Sequence, residues 1–257
     1  LDAVSDAFIC AAEPELEELE PLQNVCCEIK GSTMYVVGLD RRRMFVRELH
    51  VEGAYGSDDI TCSFTVSSAQ LKQLKAAVKG TKPKELARSS FVIYPGPDKT
   101  IVGGVEMLPR GEYPNWHKPY ENVNNVKVWL TISSELFFIV SALARFKDRF
   151  GVPTVLFDFS TQCLKSAPFF ESPDSMMPSV EWLFQAFGKW IYEDDQEILG
   201  KLEPVWIDAR FVVDAIKCLR IRHPAAFQWG IGAPNEQQVF KCHNTTCIIM
   251  PIGRIQS

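Results

Sequence analysis

The residues best able to do chemistry in this chain are two cysteines and a histidine near its C-terminal end, in the pattern Cys242-His243-x-x-x-Cys247. Thiolate and imidazole are common zinc ligands, but a structural zinc ion needs four ligands and no second ligand pair is evident. The pattern also lies where a hairpin turn is expected. We therefore predict no metal site, and zinc remains the alternative interpretation of these residues.

Catalytic patterns are not evident elsewhere in the sequence. The histidines form no H-E-x-x-H arrangement and lie at positions 50, 117, 223 and 243. No serine lies in a G-x-S-x-G setting, and no glycine-rich phosphate loop accompanies Asp40, Asp158 or Asp208, which follow predicted strands. We interpret the chain as a non-enzyme without a cofactor, and an unrelated α+β enzyme is the third hypothesis for its function.

Charge is distributed unevenly along the chain. The net charge of −5 at neutral pH argues against a nonspecific nucleic-acid coat protein. Residues 1–20 carry seven acids and no base, whereas residues 67–84 carry no acid and five lysines, at positions 72, 75, 79, 82 and 84. Because Lys72, Lys75 and Lys79 repeat with a helical period, they indicate either a solvated helix face or a face that contacts phosphates.

These lysines follow one of three copies of a pattern that consists of a strand, a polar residue and an amphipathic helix. The polar residues are Ser67, Ser133 and Asp208, which can accept hydrogen bonds from backbone N–H groups at a helix start. With a further helix that opens the chain, the predicted helices cover residues 1–12, 67–79, 133–150 and 208–219. Helices at quasi-regular spacing, separated by short strands, predict a duplicated α+β module.

Strands are predicted in the β-branched and aromatic runs between these helices. In the first half they cover 25–30, 33–39, 44–49, 60–66, 91–94, 100–103 and 105–108. In the second half they cover 126–132, 154–159, 164–170, 205–207, 227–231, 238–242 and 247–252. Loops are predicted at 13–21 and 172–178, and 192–204 is irregular by pattern. The segment Glu121–Asn125 reads as a linker, so we predict two domains of similar length.

The composition is that of a globular protein with a core, since 46% of the 257 residues are hydrophobic and 23% are charged. The longest apolar run, Leu136–Ala144, is too short to cross a bilayer, and no secretion signal opens the chain. The eight cysteines lie mostly in apolar patterns, where free thiols behave as small hydrophobic groups. We predict a reduced, cytoplasmic protein without a membrane segment.

Four segments resemble the replicative sliding clamps of bacteria. Val36–Phe45 resembles the clamp pattern x-x-A-T-D-x-x-R-L-A, and Gly111–Trp116 resembles G-x-[FY]-P-[DN]-[YW]. Phe211–Leu219 resembles the clamp helix Y-[LV]-x-D-[AV]-L-x-x-[LI], and Cys247–Ile252 resembles a terminal pattern of two hydrophobic residues followed by M-P-[MI]. Their order and spacing together carry the resemblance, which covers nearly the whole chain.

The resemblance implies an α+β fold of two DNA-clamp-like domains, each a duplicated strand-helix-strands unit with helices on one face of antiparallel sheets. Residues 1–122 are similar to a middle clamp domain and residues 126–257 to a final one. The implied function is that of a processivity factor that encircles double-stranded DNA and tethers a DNA polymerase or another DNA-processing protein. A clamp loader is a further implied partner. If each domain supplies a sixth of the ring, closure takes three chains, which makes a homotrimer.

The helices of clamps line the hole, so the resemblance implies that basic helix residues contact DNA. The expected DNA-binding residues are Lys72, Lys75, Lys79, Lys82, Arg145, Lys147, Arg149, Arg210, Lys217 and Arg220. The first helix opposes this expectation because it carries Asp2 and Asp6.

Clamps also bind partner peptides in an apolar pocket with a basic rim between two domains of the chain. Carried over position by position, the residues of this pocket are Leu39, Arg42, Arg43, Met44, Pro119, Tyr120, Met250, Pro251 and Ile252.

The chain departs from the clamp pattern in four respects. It has room for two domains rather than three, and its first helix lacks an obvious preceding strand. Leu39 replaces the threonine of the A-T-D turn, and residues 170–204 fit poorly. These features are typical of a divergent member, such as one encoded by a phage or plasmid. They leave open a second hypothesis, a clamp-fold adaptor that binds partners without closing a ring.

Overall fold

The computed structural model describes residues 1–13, 17–52, 60–79, 92–96, 99–126, 128–145, 152–166, 189–219, 227–233 and 236–252. The chain divides into two compact units, Leu1–Trp116 and His117–Ser257. The division falls ahead of the predicted linker, whose last residues form a 3-10 helix, Asn122–Asn125, in the second unit. The assignment of 1–122 and 126–257 as clamp-like domains stays a prediction.

The first unit is built from antiparallel strands and two described helices. Its helices are α1 (Asp2–Ala7) and α2 (Ser68–Ala77), with a 3-10 helix at Glu17–Gln23. Its strands are β1 (Val25–Lys30), β2 (Thr33–Leu39), β3 (Arg43–His50), β4 (Ile60–Val66), β5 (Ile93–Pro95), β6 (Thr100–Val102) and β7 (Val105–Pro109). They lie in the order β5-β6-β7-β4-β1-β2-β3, and neighbouring strands run antiparallel.

Both faces of the β1–β3 region are covered by the first unit itself. On one face α1 packs on β2, where a Cβ atom added to Gly38 would lie 2.0 Å from the Ala7 carbonyl oxygen. Only glycine permits so close an approach of helix and strand. On the other face the Tyr113 hydroxyl donates to the Val37 carbonyl at 3.1 Å, and the rings of Trp116 and Tyr35 lie 5.3 Å apart.

The second unit contains two antiparallel sheets. Its helices are α3 (His117–Glu121), α4 (Glu135–Leu143), α5 (Gln196–Leu199) and α6 (Ala209–Cys218). Its strands are β8 (Val128–Ile132), β9 (Thr154–Asp158), β10 (Cys163–Ser166), β11 (Val205–Asp208), β12 (Phe227–Ile231), β13 (Gln238–Cys242) and β14 (Thr245–Ile249). The strand orders are β14-β13-β12-β8 and β10-β9-β11.

The core of the second unit is aromatic. Trp229, fully buried, lies with its ring 4.7 Å from Phe157, 5.2 Å from Phe159 and 4.5 Å from Phe240. Trp190 joins the same cluster and donates its indole N–H to the Gln162 carbonyl at 2.9 Å. Helices α4 and α6 pack against each other, and α6 also contacts β11 and β14. This core therefore fixes the position of both longer helices of the unit.

The predicted α+β class and its antiparallel sheets are confirmed. The ends predicted for β1, β2, β4, β12 and β13 are those observed. The other strands begin or end at residues other than those predicted, and three segments differ in further respects. The predicted 13–21 loop contains the start of a 3-10 helix, and the segment 192–204 contains the 3-10 helix Glu193–Asp195 and α5. The last strand ends at Ile249, ahead of Pro251, which has no N–H group to donate.

The helices are shorter than predicted. Helix α1 ends at Ala7, since the N–H groups of Ile9 and Cys10 bond to carbonyls three residues back. Helix α4 ends at Leu143, and the predicted continuation over 146–150 lies outside the described residues. The predicted strand ends at 91 and 167–170 and the loop at 172–178 also lie outside them.

Candidate DNA-binding and partner-binding surfaces

Helix α2 is fixed to the first unit by its cap and by a narrow apolar stripe. Ser67 and Gln70 form a reciprocal capping box, in which the Ser67 N–H donates to the Gln70 side chain at 2.8 Å and Ser67 Oγ accepts from the Gln70 N–H. The Gln70 amide also donates to the Glu106 carbonyl of β7 at 2.7 Å. With Leu71 and Leu74 buried, these contacts determine which face of α2 remains in solvent.

The exposed face of α2 carries three of the predicted DNA-binding residues. Lys72 and Lys75 are exposed one helical turn apart, about 4.5 Å along the axis. Lys79 lies in the following turn, where its N–H donates to the Ala76 carbonyl, and its side chain is also exposed. No ion pair holds any of the three in the part of the chain that the structure describes. Their charges are available to an external anion.

The basic residues of α6 have a different environment. Arg210 binds Asp208 in a bidentate pair, with Nε 3.0 Å from Oδ1 and a terminal nitrogen 2.6 Å from Oδ2. Lys217 Nζ lies 3.2 Å from Asp214 Oδ1. The segment 208–218 carries two bases and two acids, so it has no net charge. The acids lie two and three positions from the bases, so these pairs were visible in the sequence. The prediction of DNA-binding residues considered only the bases.

The remaining predicted DNA-binding residues are only partly described. Arg145, just beyond α4, is exposed. Outside the described residues lie Lys82, Lys147, Arg149 and Arg220.

Of the two acidic residues of α1 that were expected to oppose a basic surface, Asp2 is exposed and Asp6 is not. Asp6 is buried, and its Oδ2 accepts from an Arg47 guanidinium nitrogen at 2.9 Å. The same guanidinium lies 5.4 Å from the centre of the Phe45 ring. The Asp6 charge therefore belongs to an internal ion pair. Sequence reasoning missed Arg47 because nothing in the sequence marks two residues far apart in the chain as partners.

The four predicted peptide-binding residues of the first unit lie at the turn between β2 and β3. Asp40 Oδ1 accepts from the N–H groups of Arg42 and Arg43 at 2.7 and 2.8 Å, and Asp40 Oδ2 accepts from Arg43 Nε at 2.8 Å. These bonds fix the turn. Met44 is buried and Leu39 half-buried, whereas Arg42 is exposed. The turn thus presents a charged tip beside an apolar base.

The other predicted peptide-binding residues belong to the second unit. Pro119 and Tyr120 are half-buried in α3. Met250 is 43% exposed, while Pro251 and Ile252 are half-buried beyond β14. The Ile252 N–H donates to the Trp206 carbonyl at 2.9 Å, which places this terminal segment along β11.

Cys242, His243 and Cys247 lie in the β13–β14 hairpin. Cys247 is buried with its thiol 3.8 Å from the Ala215 carbonyl, and His243 lies in the β13–β14 turn at a φ of 53°. Nowhere in the described ranges do three potential ligands come together. The eight cysteines, all of them described, form no disulfide, and burial raises the pKa of the Cys26 thiol to about 12. That thiol is protonated and unreactive at neutral pH.

No described helix has the length and apolar character needed to cross a membrane.

Solved structures of bacterial sliding clamps share this fold over 98% of the chain. The DNA polymerase III beta subunit of Thermotoga maritima has 15% identity and a TM-score of 0.66, with 64% of its own chain covered. A Pseudomonas aeruginosa DNA polymerase sliding clamp has 13% identity, a TM-score of 0.67 and 64% coverage. A Helicobacter pylori beta clamp bound to a DNA ligase peptide has 15% identity, a TM-score of 0.63 and 62% coverage.

These comparisons show the fold that the resemblance implied, and the fold alone. The chain spans less than two thirds of the length of these clamps. No protein-family model and no curated protein matches the sequence.

Proposed function

We propose that this chain is a DNA sliding clamp, a non-enzymatic processivity factor that encircles duplex DNA and tethers a polymerase or another DNA-processing protein. The observation that carries the proposal is the face of α2 with Lys72, Lys75 and Lys79 exposed and without an acidic neighbour on the helix. The lysine ammonium groups of this face can pair with phosphates, and in a clamp fold the helices line the hole that holds DNA.

The physical requirement for sliding is attraction without sequence readout. Lysine ammonium groups neutralise phosphates through charge and do not read base edges, so every position along the duplex has nearly the same energy. The whole chain, these lysines included, has a net charge of −5, so the rest of it is acidic and repels DNA from other surfaces. A protein held on DNA in this way raises the local concentration of whatever it binds.

Ring closure and partner binding are the finer parts of the proposal. Two clamp-like domains for each chain predict a homotrimer and a requirement for a clamp loader. The β2–β3 turn, with Arg42 exposed, and the Met250–Ile252 segment each supply contacts to a partner peptide. Apolar side chains beside a basic tip suit a peptide that has an apolar anchor and an acidic flank.

Reversal of the three α2 lysines to glutamate (K72E/K75E/K79E) should strongly weaken DNA binding. Loss of three phosphate contacts lowers the salt slope of the binding constant by about 2.7, or about 0.9 for each contact. The measurement is fluorescence anisotropy of a labelled duplex with the full chain over a series of salt concentrations.

The matched control reverses three exposed lysines outside α2, K30E/K118E/K201E, which changes the net charge equally. It should bind DNA far more tightly than the α2 variant, and equal loss in both would show that only total charge matters. Light scattering of the unmodified chain should give three times 29.0 kDa. A monomer at every concentration contradicts the closed ring, and retained peptide binding by such a monomer supports the adaptor hypothesis.

Met250→Glu should weaken partner-peptide binding by at least about tenfold, because an exposed apolar anchor is replaced by a charge that repels an acidic flank. The probe is a fluorescein-labelled peptide with a Leu-Phe anchor and two preceding aspartates. Tyr192→Glu is the matched control, since Tyr192 is 40% exposed in the same unit, close to the 43% of Met250. Equal affinity of the Met250 variant and the unmodified chain would exclude this segment from the peptide site.

A further inference from the structure

Helix α6 carries a stripe of charged side chains on the side that faces away from the core. Arg210, Asp214 and Lys217 are spaced i, i+4 and i+7, so they share one side of the helix. The buried side chains of α6, among them Val212 and Ile216, lie on the opposite side. This layout is close to that of α2, whose three exposed lysines are spaced i, i+3 and i+7.

The charged faces of α2 and α6 differ at their middle position. Lys75 occupies this position on α2, whereas Asp214 occupies it on α6. The stripe on α6 therefore has a basic residue at each end and an acid between them. If it could contact phosphates, the acid would weaken that contact.

The two acidic residues beside the α6 bases hold their partners differently. Asp208 is 2% exposed, caps the helix and binds Arg210 in a bidentate pair, so separation of this pair would leave a buried carboxylate without its counterion. Asp214 is 21% exposed and contacts Lys217, itself 53% exposed, at 3.2 Å. A pair so close to solvent contributes little to stability and exchanges with other anions. Lys217 is therefore the base of α6 that a phosphate can recruit.

A phosphate that approaches Lys217 also meets the Asp214 carboxylate. The carboxylate competes for the ammonium group and repels the phosphate, since both are anions on the same side of the helix. We propose that Asp214 sets the strength of the DNA contact of α6 by withholding Lys217 from phosphate. This role rests on the proposed function, because it requires that α6 faces DNA. A weak contact on α6 lets the duplex move while the lysines of α2 retain it.

The test is Asp214→Asn, which removes the carboxylate charge and keeps the size of the side chain. The measurement is fluorescence anisotropy of a labelled duplex with the full chain over a series of salt concentrations. If Lys217 gains one phosphate contact, the salt slope steepens by about 0.9, and the dissociation constant at a salt concentration of about 0.1 M falls by about eightfold. A gain of affinity cannot result from loss of folding.

Two further variants make the result specific to Lys217. Glu197→Gln is the matched control for net charge, since Glu197 is exposed on α5 of the same unit and the change removes one negative charge as well. It should leave the salt slope unchanged. In the double variant D214N/K217Q the slope should return to that of the unmodified chain, because the recruited lysine is absent.

The other outcomes overturn this role of Asp214. Equal dissociation constants for the Asp214 variant and the unmodified chain, when both bind DNA, overturn it and leave the proposed function standing. An equal gain with Glu197→Gln assigns the effect to net charge, and a gain that persists in D214N/K217Q excludes Lys217. Absence of DNA binding by the unmodified chain and by the Asp214 variant overturns the proposed function as well.

Discussion

Arg47→Ala should lower the free energy of unfolding by about 3–5 kcal/mol, because it leaves the Asp6 carboxylate buried without its partner. The two side chains are 11% and 12% exposed, and their closest N–O distance is 2.9 Å. Removal of the guanidinium also removes its contact with the Phe45 ring. The measurement is urea denaturation followed by circular dichroism, with the midpoint and slope fitted for both chains.

The double variant D6A/R47A separates pairing from packing. If the ion pair carries the effect, the double variant is more stable than the sum of the two single changes implies, since no charge is then stranded. Arg42→Ala serves as the matched control: it lies at the tip of the same hairpin, is exposed, and should change stability by less than about 0.5 kcal/mol. Arg47→Ala with the stability of the unmodified chain would mean that the ion pair contributes little and that α1 is held by its other contacts, among them the one with Gly38.

The interpretation of α1 changed most between sequence and structure. Its acidic residues predicted a helix face that repels phosphate, and that would have weakened the case for a basic lining. Burial of Asp6 against Arg47 removes one of these charges from the surface. A sequence reports how many charges a segment carries, but tertiary contacts decide which of them reach solvent.

Local signals predicted the parts of the fold that local physics determines. Ser67 and Asp208 were expected to cap helices, and both side chains accept hydrogen bonds from backbone N–H groups in the first turn. The β1 and β2 ends followed from the Gly31-Ser32 turn, where Gly31 has a φ of 55°. At Ser133 the result is weaker, since Ser134 takes the cap position and Ser133 Oγ accepts from the Glu135 N–H at 3.3 Å.

Contacts between distant segments were not predictable in this way. The helix predicted over 133–150 has an apolar pattern past Leu143, yet the observed helix stops there. Trp190 was placed in no element by pattern, although it lies in the aromatic core, and the backbone beside it bonds to the edge of β8. The Trp190 carbonyl accepts from the Ser133 N–H, and the Tyr192 N–H donates to the Thr131 carbonyl. This pairing with a segment remote in sequence is not encoded by hydrophobic periodicity.

In the candidate DNA-binding surface, too, some features were predicted from local spacing and others were not. The periodic lysines of α2 were readable because spacing on one helix determines which side chains share a face. The neutralised charge of α6 was not recognised, although Asp208 and Asp214 are close to Arg210 and Lys217 in sequence, since a cap residue also binds the side chain two positions on. As a result, α2 carries the larger share of the proposed DNA contact among the described helices.

Trp229→Ala should destabilise the second unit by about 3–5 kcal/mol, the usual range for loss of a large buried aromatic side chain. Its ring is in contact distance of three other aromatic rings, and its indole N–H donates to the buried Gln238 side chain at 3.3 Å. The substitution leaves a cavity and an unsatisfied amide oxygen together. Urea denaturation followed by circular dichroism at a wavelength dominated by sheet and helix measures the change.

Two further substitutions make this prediction specific to the aromatic core. Trp229→Phe keeps most ring contacts and should lose less than half of the stability lost in the alanine variant. The stability difference between Trp229→Phe and the unmodified chain then measures the loss of the Gln238 hydrogen bond and the smaller ring. Trp129→Ala is the matched control, because Trp129 is half-buried on the adjacent strand, where its ring lies over Gly230 and 5.1 Å from Lys241 Nζ. If Trp129→Ala proved as destabilising as Trp229→Ala, the stability of this sheet would depend on its surface aromatic contact as much as on its core. That result would contradict a special role of the aromatic core in supporting α4 and α6.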